Sequence, residues 1–186
     1  MKLARGAGCA LLGGDTTRTP EVEGHHAPVT ISITAMGDLP AGMGLTRKGA
    51  KPGDDIWVSG TVGDAYAALK CRWGAWSVMP DLEPALFARM DRPTPRIALG
   101  QALLGAASAA ADISDGLLAD LGHILERSGV SAEIEWEKIP TSVALQSMTP
   151  ARQHEAALAG GDDYELIFTA PPSSAERIYE AGLLSG

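Results

Sequence analysis

Three short acidic turns are the residues in this chain whose types and spacing could do chemistry. They are Gly13-Gly14-Asp15-Thr16-Thr17-Arg18, Asp112-Ile113-Ser114-Asp115-Gly116 and Gly160-Gly161-Asp162-Asp163-Tyr164-Glu165. Carboxylate oxygens are hard ligands suited to Mg²⁺, and Mg²⁺ is usually held by one or two carboxylates together with substrate phosphates. Glycine lets a backbone approach a ligand closely. In the first turn Asp15 can bind a cation, Thr16 and Thr17 offer hydroxyls, and Arg18 offers a forked donor pair for phosphate. In the second, a buried strand is expected to deliver Asp112 at its C-terminal end, with Ser114 or Asp115 as N-cap of the following helix, where free N–H groups favour anions. In the third, adjacent acids stand at a strand entrance. Each turn also has a plain alternative. The first is an ordinary turn, the second a capping segment without ligand, and the third a solvated turn, which is the preferred reading for Asp163 and Glu165. Asp120 and His123, three apart on one helix, read as solvated surface.

Arg47, Lys48 and Lys51 form the one basic cluster and could hold ATP phosphates, although a lone basic turn is more often plain surface. Several other chemistries have no sequence support. There is no Gly-x-x-x-x-Gly-Lys-Ser/Thr loop, no dinucleotide fingerprint, no protein-kinase motif set and no Cys/His zinc cluster.

The elements that must position these turns follow from patterning. Cys9–Leu12 and Val29–Ala35 read as strands, with Glu21–Pro28 as an exposed loop. Asp55–Ser59 is a short strand after the Pro52-Gly53 turn. Gly63–Trp73 has helical spacing and Pro80–Met90 is a further helix. Arg92-Pro93-Thr94-Pro95-Arg96 must be extended, because each proline restricts the residue before it. Ile97–Ala107 is helical and Ala109–Ile113 a buried strand. Leu117–Ser128 is a helix with Leu117, Leu118, Leu121, Ile124 and Leu125 apolar and Gly129 as its stop. Ser131–Trp136 alternates like a strand. Ser142–Ser147 and Ala151–Ala159 are helices, Tyr164–Thr169 a strand and Ala175–Leu184 a final helix. This order predicts an α/β (layered α+β) fold.

The composition agrees with a globular enzyme. The 186 residues are 45% hydrophobic and 20% charged. A net charge of −8 argues against a general nucleic-acid binder. It is compatible with binding phosphates through a cation. No apolar run is long enough to span a membrane. Cys9 and Cys71 read as free thiols in a reducing compartment, and the expected location is cytoplasmic.

Taken together, the motifs resemble thiamine-monophosphate kinase. The matching stretches run in the family's order: Leu12–Arg18, Leu45–Asp54, Arg92–Arg96, Asp112–Leu117 and Gly160–Leu166. The family belongs to the superfamily of aminoimidazole ribonucleotide synthetase, selenophosphate synthetase and the hydrogenase-maturation dehydratase. The resemblance implies an N-terminal α/β domain that dimerises through its sheet, a C-terminal α/β domain, and ATP bound between them. It implies transfer of the γ-phosphoryl of ATP to thiamine monophosphate, with several Mg²⁺ ions and a homodimer. Asp15, Asp112 and Asp115 would be metal ligands. Gly14, Asp15, Arg47 and Ser114 would contact ATP, and Asp162, where the family often has Glu, would contact thiamine phosphate. Residues 1–40 would be a remnant of the N-terminal domain and residues 41–186 the C-terminal domain. Further acidic motifs upstream, and a downstream segment closing over the thiamine ring, belong to the family and have no counterpart here. The chain is therefore expected to be partial and inactive alone. Two alternatives remain: another superfamily ATPase of the selenophosphate synthetase kind, and a non-catalytic nucleotide-binding or dimerisation module.

Overall fold

A computed structural model describes residues 2–18, 21–22, 24–26 and 28–185. The chain divides into two compact units, Met1–Pro40 and Ala41–Gly186.

The first unit holds a short helix α1 (Lys2–Gly6) and strands β1 (Glu21–Val22) and β2 (His25–His26), paired antiparallel. The segment expected to be a loop thus contains a minimal hairpin, turning at Gly24. The two longer expected strands do not form, since Cys9–Leu12 and Val29–Ala35 carry no ladder. The alternation at Val29, Ile31 and Ile33 leaves all three side chains exposed, because no neighbouring strand among the described residues of this unit offers backbone partners.

The second unit begins with β3 (Asp55–Val58), α2 (Asp64–Arg72), α3 (Glu83–Asp91) and α4 (Ile97–Ala102). It continues through β4 (Ala109–Asp112), α5 (Leu117–Ser128), α6 (Val143–Gln146), α7 (Pro150–Ala159), β5 (Leu166–Ala170) and α8 (Ala175–Ser185). The sheet order is β3-β5-β4, antiparallel throughout. β5 is central, and its side chains alternate between two cores as the strand period requires. Ile167 packs with Ile113, Leu117, Leu121, Ile124 and Leu145. Phe168 and Ala170 pack with Leu99, Leu103 and Ile178. Helices α5 and α7 thus cover one face and α4 and α8 the other, the layered α/β arrangement expected from the sequence.

α5 runs where its apolar spacing predicts and stops at Gly129, which is left-handed at φ 70°. Leu118 is an exception, since it points to solvent rather than the core. Ser131–Trp136 is not a strand. It carries no ladder, it is exposed except at Trp136, and it ends in a short 3₁₀ turn, Trp136–Lys138. It faces the free edge of β3 across an open groove. Both cysteines are free thiols.

Candidate functional site

The site grows out of the β4–β5 pairing. Asp112, the last residue of β4, stands opposite Leu166, the first of β5. Antiparallel geometry therefore brings the turn that leaves β4 beside the turn that enters β5. The ladder continues between them. The Ile113 amide donates to the Glu165 carbonyl (2.7 Å), the Tyr164 amide to the Ile113 carbonyl (2.8 Å) and the Asp162 amide to the Ser114 carbonyl (2.9 Å). Gly161 lies so close to the Ser114 carbonyl that a Cβ there would collide with it. The second and third acidic turns are thus one edge, with Asp112, Asp115 and Asp162 exposed on it.

Tyr164 reports the electrostatics of this edge. The residue is 48% exposed. Its phenol is pushed above the ordinary value first by the Asp162 charge, then by partial burial and a hydrogen bond to Asp162, and also by Asp112 and Asp115. Three carboxylates therefore act on one phenol. The Tyr164 hydroxyl donates to Asp162 Oδ1 at 3.4 Å.

The N-terminus of α5 differs from the expectation. Its N-cap is Gly116, at φ 119° and ψ 153°, not Ser114 or Asp115. A side chain there would also meet the backbone of Ala159 and Gly160. The Ser114 and Asp115 amides are already taken, since both donate to Asp120 Oδ2, at 2.9 and 3.0 Å. Asp120 is 1% exposed, which corrects its reading as solvated surface. A carboxylate in the first turn of the helix satisfies the amides of the preceding loop and leaves the Asp115 and Ser114 side chains free for other partners.

Asp163 and Glu165 are also not solvated, at 1% and 0% exposed. Asp163 accepts from the Gly63 amide (2.6 Å) and the Ala65 amide (3.3 Å), at the start of α2. Burial pushes its carboxyl up to about 6, against the pull of those two amides. Glu165 accepts from Arg96 Nε (2.8 Å) and Nη2 (2.9 Å), from Arg89 Nη2 (2.7 Å) and from the Ser59 hydroxyl. Burial alone would raise the Glu165 carboxyl. The bonds from Arg96, Ser59 and Arg89 outweigh it and hold the group below the usual carboxylate range. The two acids are therefore not members of a solvated turn. They are separate anchors, each with its own donors.

Arg47 is exposed, on a segment held against the outer side of β4 and the end of α5. The Ala110 amide donates to the Thr46 carbonyl (3.0 Å), and the Ser128 hydroxyl donates to the Arg47 carbonyl (3.3 Å). Gly14 and Asp15 lie in the first unit and are exposed. The Asp15 carboxylate accepts from the Thr16 amide at 2.8 Å. The structure thus joins Asp112, Ser114, Asp115 and Asp162. Asp120, Asp163, Tyr164 and Glu165 are the members that sequence reasoning did not place there. The available signal was parity: from Asp162 to Glu165 exposed and buried residues alternate, as they would if the β5 pleat extended back into the turn.

Residues 51–181 match the family described as AIR synthase related protein, C-terminal domain. The chain belongs to this family. Within the AIR synthase related group its relatives are kinases by name. The thiamine-monophosphate kinase of Haemophilus influenzae is 44% identical over 169 residues, covering 90% of this chain and 49% of the relative. The chain thus spans about half the length of the curated relatives it matches. A crystal structure of thiamine-monophosphate kinase from Stenotrophomonas maltophilia K279a superposes with a TM-score of 0.72 at 44% identity, covering 78% of this chain and 48% of that one. A structure described as AaThiL complexed with AMPPCP and TMP has a TM-score of 0.62 at 41% identity, covering 70% and 43%. Among the described residues no helix is long and apolar enough to cross a membrane.

Proposed function

We propose that this chain supplies part of a thiamine-monophosphate kinase, an enzyme that moves the γ-phosphoryl of ATP onto thiamine monophosphate to give thiamine diphosphate. The observation that carries the reading is the joined edge, held by the Asp162–Ser114 and Tyr164–Ile113 backbone bonds, on which Asp112, Asp115 and Asp162 stand exposed together. The relatives' names and the AMPPCP–TMP complex of AaThiL support the choice of substrates.

The edge fits Mg²⁺ by donor chemistry. Among the described residues, no group of three or more His, Cys, Asp or Glu side chains is arranged to hold a metal ion. Two exposed carboxylates at a strand end are nevertheless what Mg²⁺ takes when substrate phosphates complete its coordination. Asp112 and Asp115 would hold it, and Asp15, on the first unit, is proposed separately as a ligand to one of the several ions. When bound, Mg²⁺ neutralises charge between the two polyanionic substrates. The residues of the chain bind and orient. Arg47, Ser114 and Gly14 contact ATP, and Asp162 contacts thiamine monophosphate. Its acceptor phosphate is already ionised near neutral pH, so no side chain has to remove a proton. Rate then depends on in-line placement of the acceptor oxygen. The two carboxylates proposed as metal ligands on this edge are few for joining two polyanions, so the 186 residues by themselves are expected to turn over poorly. The complete enzyme is read as a cytoplasmic homodimer using several Mg²⁺ ions, with residues 1–40 belonging to its N-terminal domain.

The test is calorimetry of the purified chain with ATP and with thiamine monophosphate, each with and without Mg²⁺. The reading expects Mg²⁺-dependent ATP binding and binding of thiamine monophosphate. Absence of both overturns it and favours a purely structural module. Incubation with both substrates and Mg²⁺ is expected to yield little thiamine diphosphate, and robust product would overturn the claim of poor turnover.

A further inference from the structure

The Arg92-Pro93-Thr94-Pro95-Arg96 stretch and the two buried acids after Asp162 have no part in phosphoryl transfer itself. The structure nevertheless ties them to one object, the 160–165 turn. Asp162 and Tyr164 are the non-glycine residues with positive φ among the described residues, at 67° and 51°. The left-handed region is costly for side chains other than Gly, Asn and Asp, and Tyr is an unfavourable occupant. The residues that follow each of them are anchors. Asp163 is bound to the Gly63 and Ala65 amides and Glu165 to Arg96, Arg89 and Ser59. Left-handed and anchored residues therefore alternate through the turn, and Tyr164 carries the strain.

The anchors are themselves held. The two prolines restrict the segment that delivers Arg96 to Glu165. Arg89, from α3, reaches Glu165 and the Thr61 carbonyl (3.3 Å), and its Nε lies 3.8 Å from Asp64. Asp64 accepts from the Thr61 hydroxyl (2.9 Å) and the Ser142 hydroxyl. A turn needed only to reverse the chain could use glycine at 162 and 164, as it does at 160 and 161. This one keeps an exposed acid and an exposed phenol in left-handed backbone, strained at Tyr164 and braced from below.

We propose that Asp163 and Glu165 are positioning residues: they hold the left-handed backbone on which Asp162 is presented beside Asp112 and Asp115. The inference rests on the reading of that edge as the phosphoryl-transfer site. Asp163 and Glu165 touch no substrate, and their effect on ligand binding passes through Asp162 and Tyr164.

The experiment uses the full chain and the variant Asp163→Asn, which keeps the shape and one acceptor oxygen. Two readouts are taken on protein shown to be folded by circular dichroism and thermal melting. The first, independent of ligand, is amide exchange. The Asp162 and Tyr164 amides, bonded to Ser114 and Ile113 in the wild type, are expected to exchange about tenfold faster or more in the variant, while Ile167–Ala170 keep their protection. The second is affinity. Thiamine monophosphate is expected to bind about tenfold more weakly and Mg²⁺·ATP unchanged, because outer-shell supports of a ligand typically act on that ligand. Unchanged exchange at 162 and 164 in a folded variant overturns the inference. So does a parallel loss of both affinities in step with the melting temperature, which is what a merely structural role produces. If wild type binds no thiamine monophosphate, exchange alone decides the inference; if it binds neither thiamine monophosphate nor Mg²⁺·ATP, the proposed function fails as well. If Asp163→Asn does not fold, Glu165→Gln is measured by the same two readouts, and the same results support or overturn the inference.

Discussion

The Asp162 amide donates to the Ser114 carbonyl at 2.9 Å, which places a residue 48 positions downstream directly on the turn that closes β4. This bond, with its neighbour from Tyr164 to Ile113, makes one edge of two acidic turns that look independent along the chain. It requires the chain to pass very close to Ser114, and Gly161 permits that.

Replacing Gly161 with alanine therefore tests whether the edge is built on this contact. The new Cβ would strike the Ser114 carbonyl, which is backbone and cannot rotate away. Overpacking against fixed structure costs about 1–3 kcal/mol. Urea denaturation of Gly161→Ala should show a loss in that range. Wild-type stability would mean that the two turns are not held together as described.

A second prediction concerns the buried ion cluster. Removing Arg96 leaves Glu165 with Arg89 and Ser59 only. Breaking a buried pair from one side costs roughly 3–5 kcal/mol. Because Arg89 remains, Arg96→Met should fall near the lower end, about 3 kcal/mol by the same scale. Adding Glu165→Gln should cost less than the sum of the single changes, since the two residues share one interaction. Additive losses in denaturation of the two singles and the double would contradict the pairing.

The sequence discloses the layered fold and the order of its elements well, because α5 has strong helical periodicity, β4 and β5 are short, largely apolar runs beside turn residues, and Gly129 is a clear stop. It also marks Asp112, Asp115 and Asp162. The roles of Asp120, Asp163 and Glu165 could not be read from it. Asp163 and Glu165 are buried by partners far away in the chain: Glu165 by Arg96, Arg89 and Ser59, and Asp163 by the amides of Gly63 and Ala65. Asp120 turns back onto the loop before its own helix. Local polarity says turn or surface, and only the folded contacts say anchor. The failure at Ser131–Trp136 has the opposite cause. Its alternation is strand-like, but a strand needs a partner for its backbone groups, and that segment has none in its ladder.

A third prediction is a pH dependence. Burial raises the Asp163 carboxyl from 3.8 to about 6 in the folded protein. Between those values the folded state binds more protons than the unfolded state, so stability falls as pH rises. The favourable contribution is complete below the unfolded value and lost by the time pH passes the folded one. A shift of this size corresponds to about 3 kcal/mol across the window. Glu165, held low, acts in the opposite sense and in a more acidic range, losing its contribution as pH falls through its depressed value. Urea titrations of wild type and Asp163→Asn from about pH 4 to about pH 7 should show the wild type losing ground to the variant as pH rises through this window. A constant difference across it would show that Asp163 does not titrate as described.

The final prediction separates ligand from scaffold on the same edge. Asp112 and Asp115 are exposed, whereas Asp163 and Glu165 are buried. Neutralising an exposed carboxylate in a patch of like charge removes repulsion and breaks no buried contact, so Asp112→Asn and Asp115→Asn should melt at or slightly above the wild-type temperature. Each should nevertheless weaken Mg²⁺-dependent ATP binding about tenfold or more, because carboxylate number sets divalent affinity at such sites. Chelating Mg²⁺ should bring wild type down to the level of the variants, and Asp81→Asn, an exposed acid between α2 and α3, should behave as wild type. A variant that loses stability and affinity together would place its aspartate among the braces, and one that loses neither would remove it from the metal set.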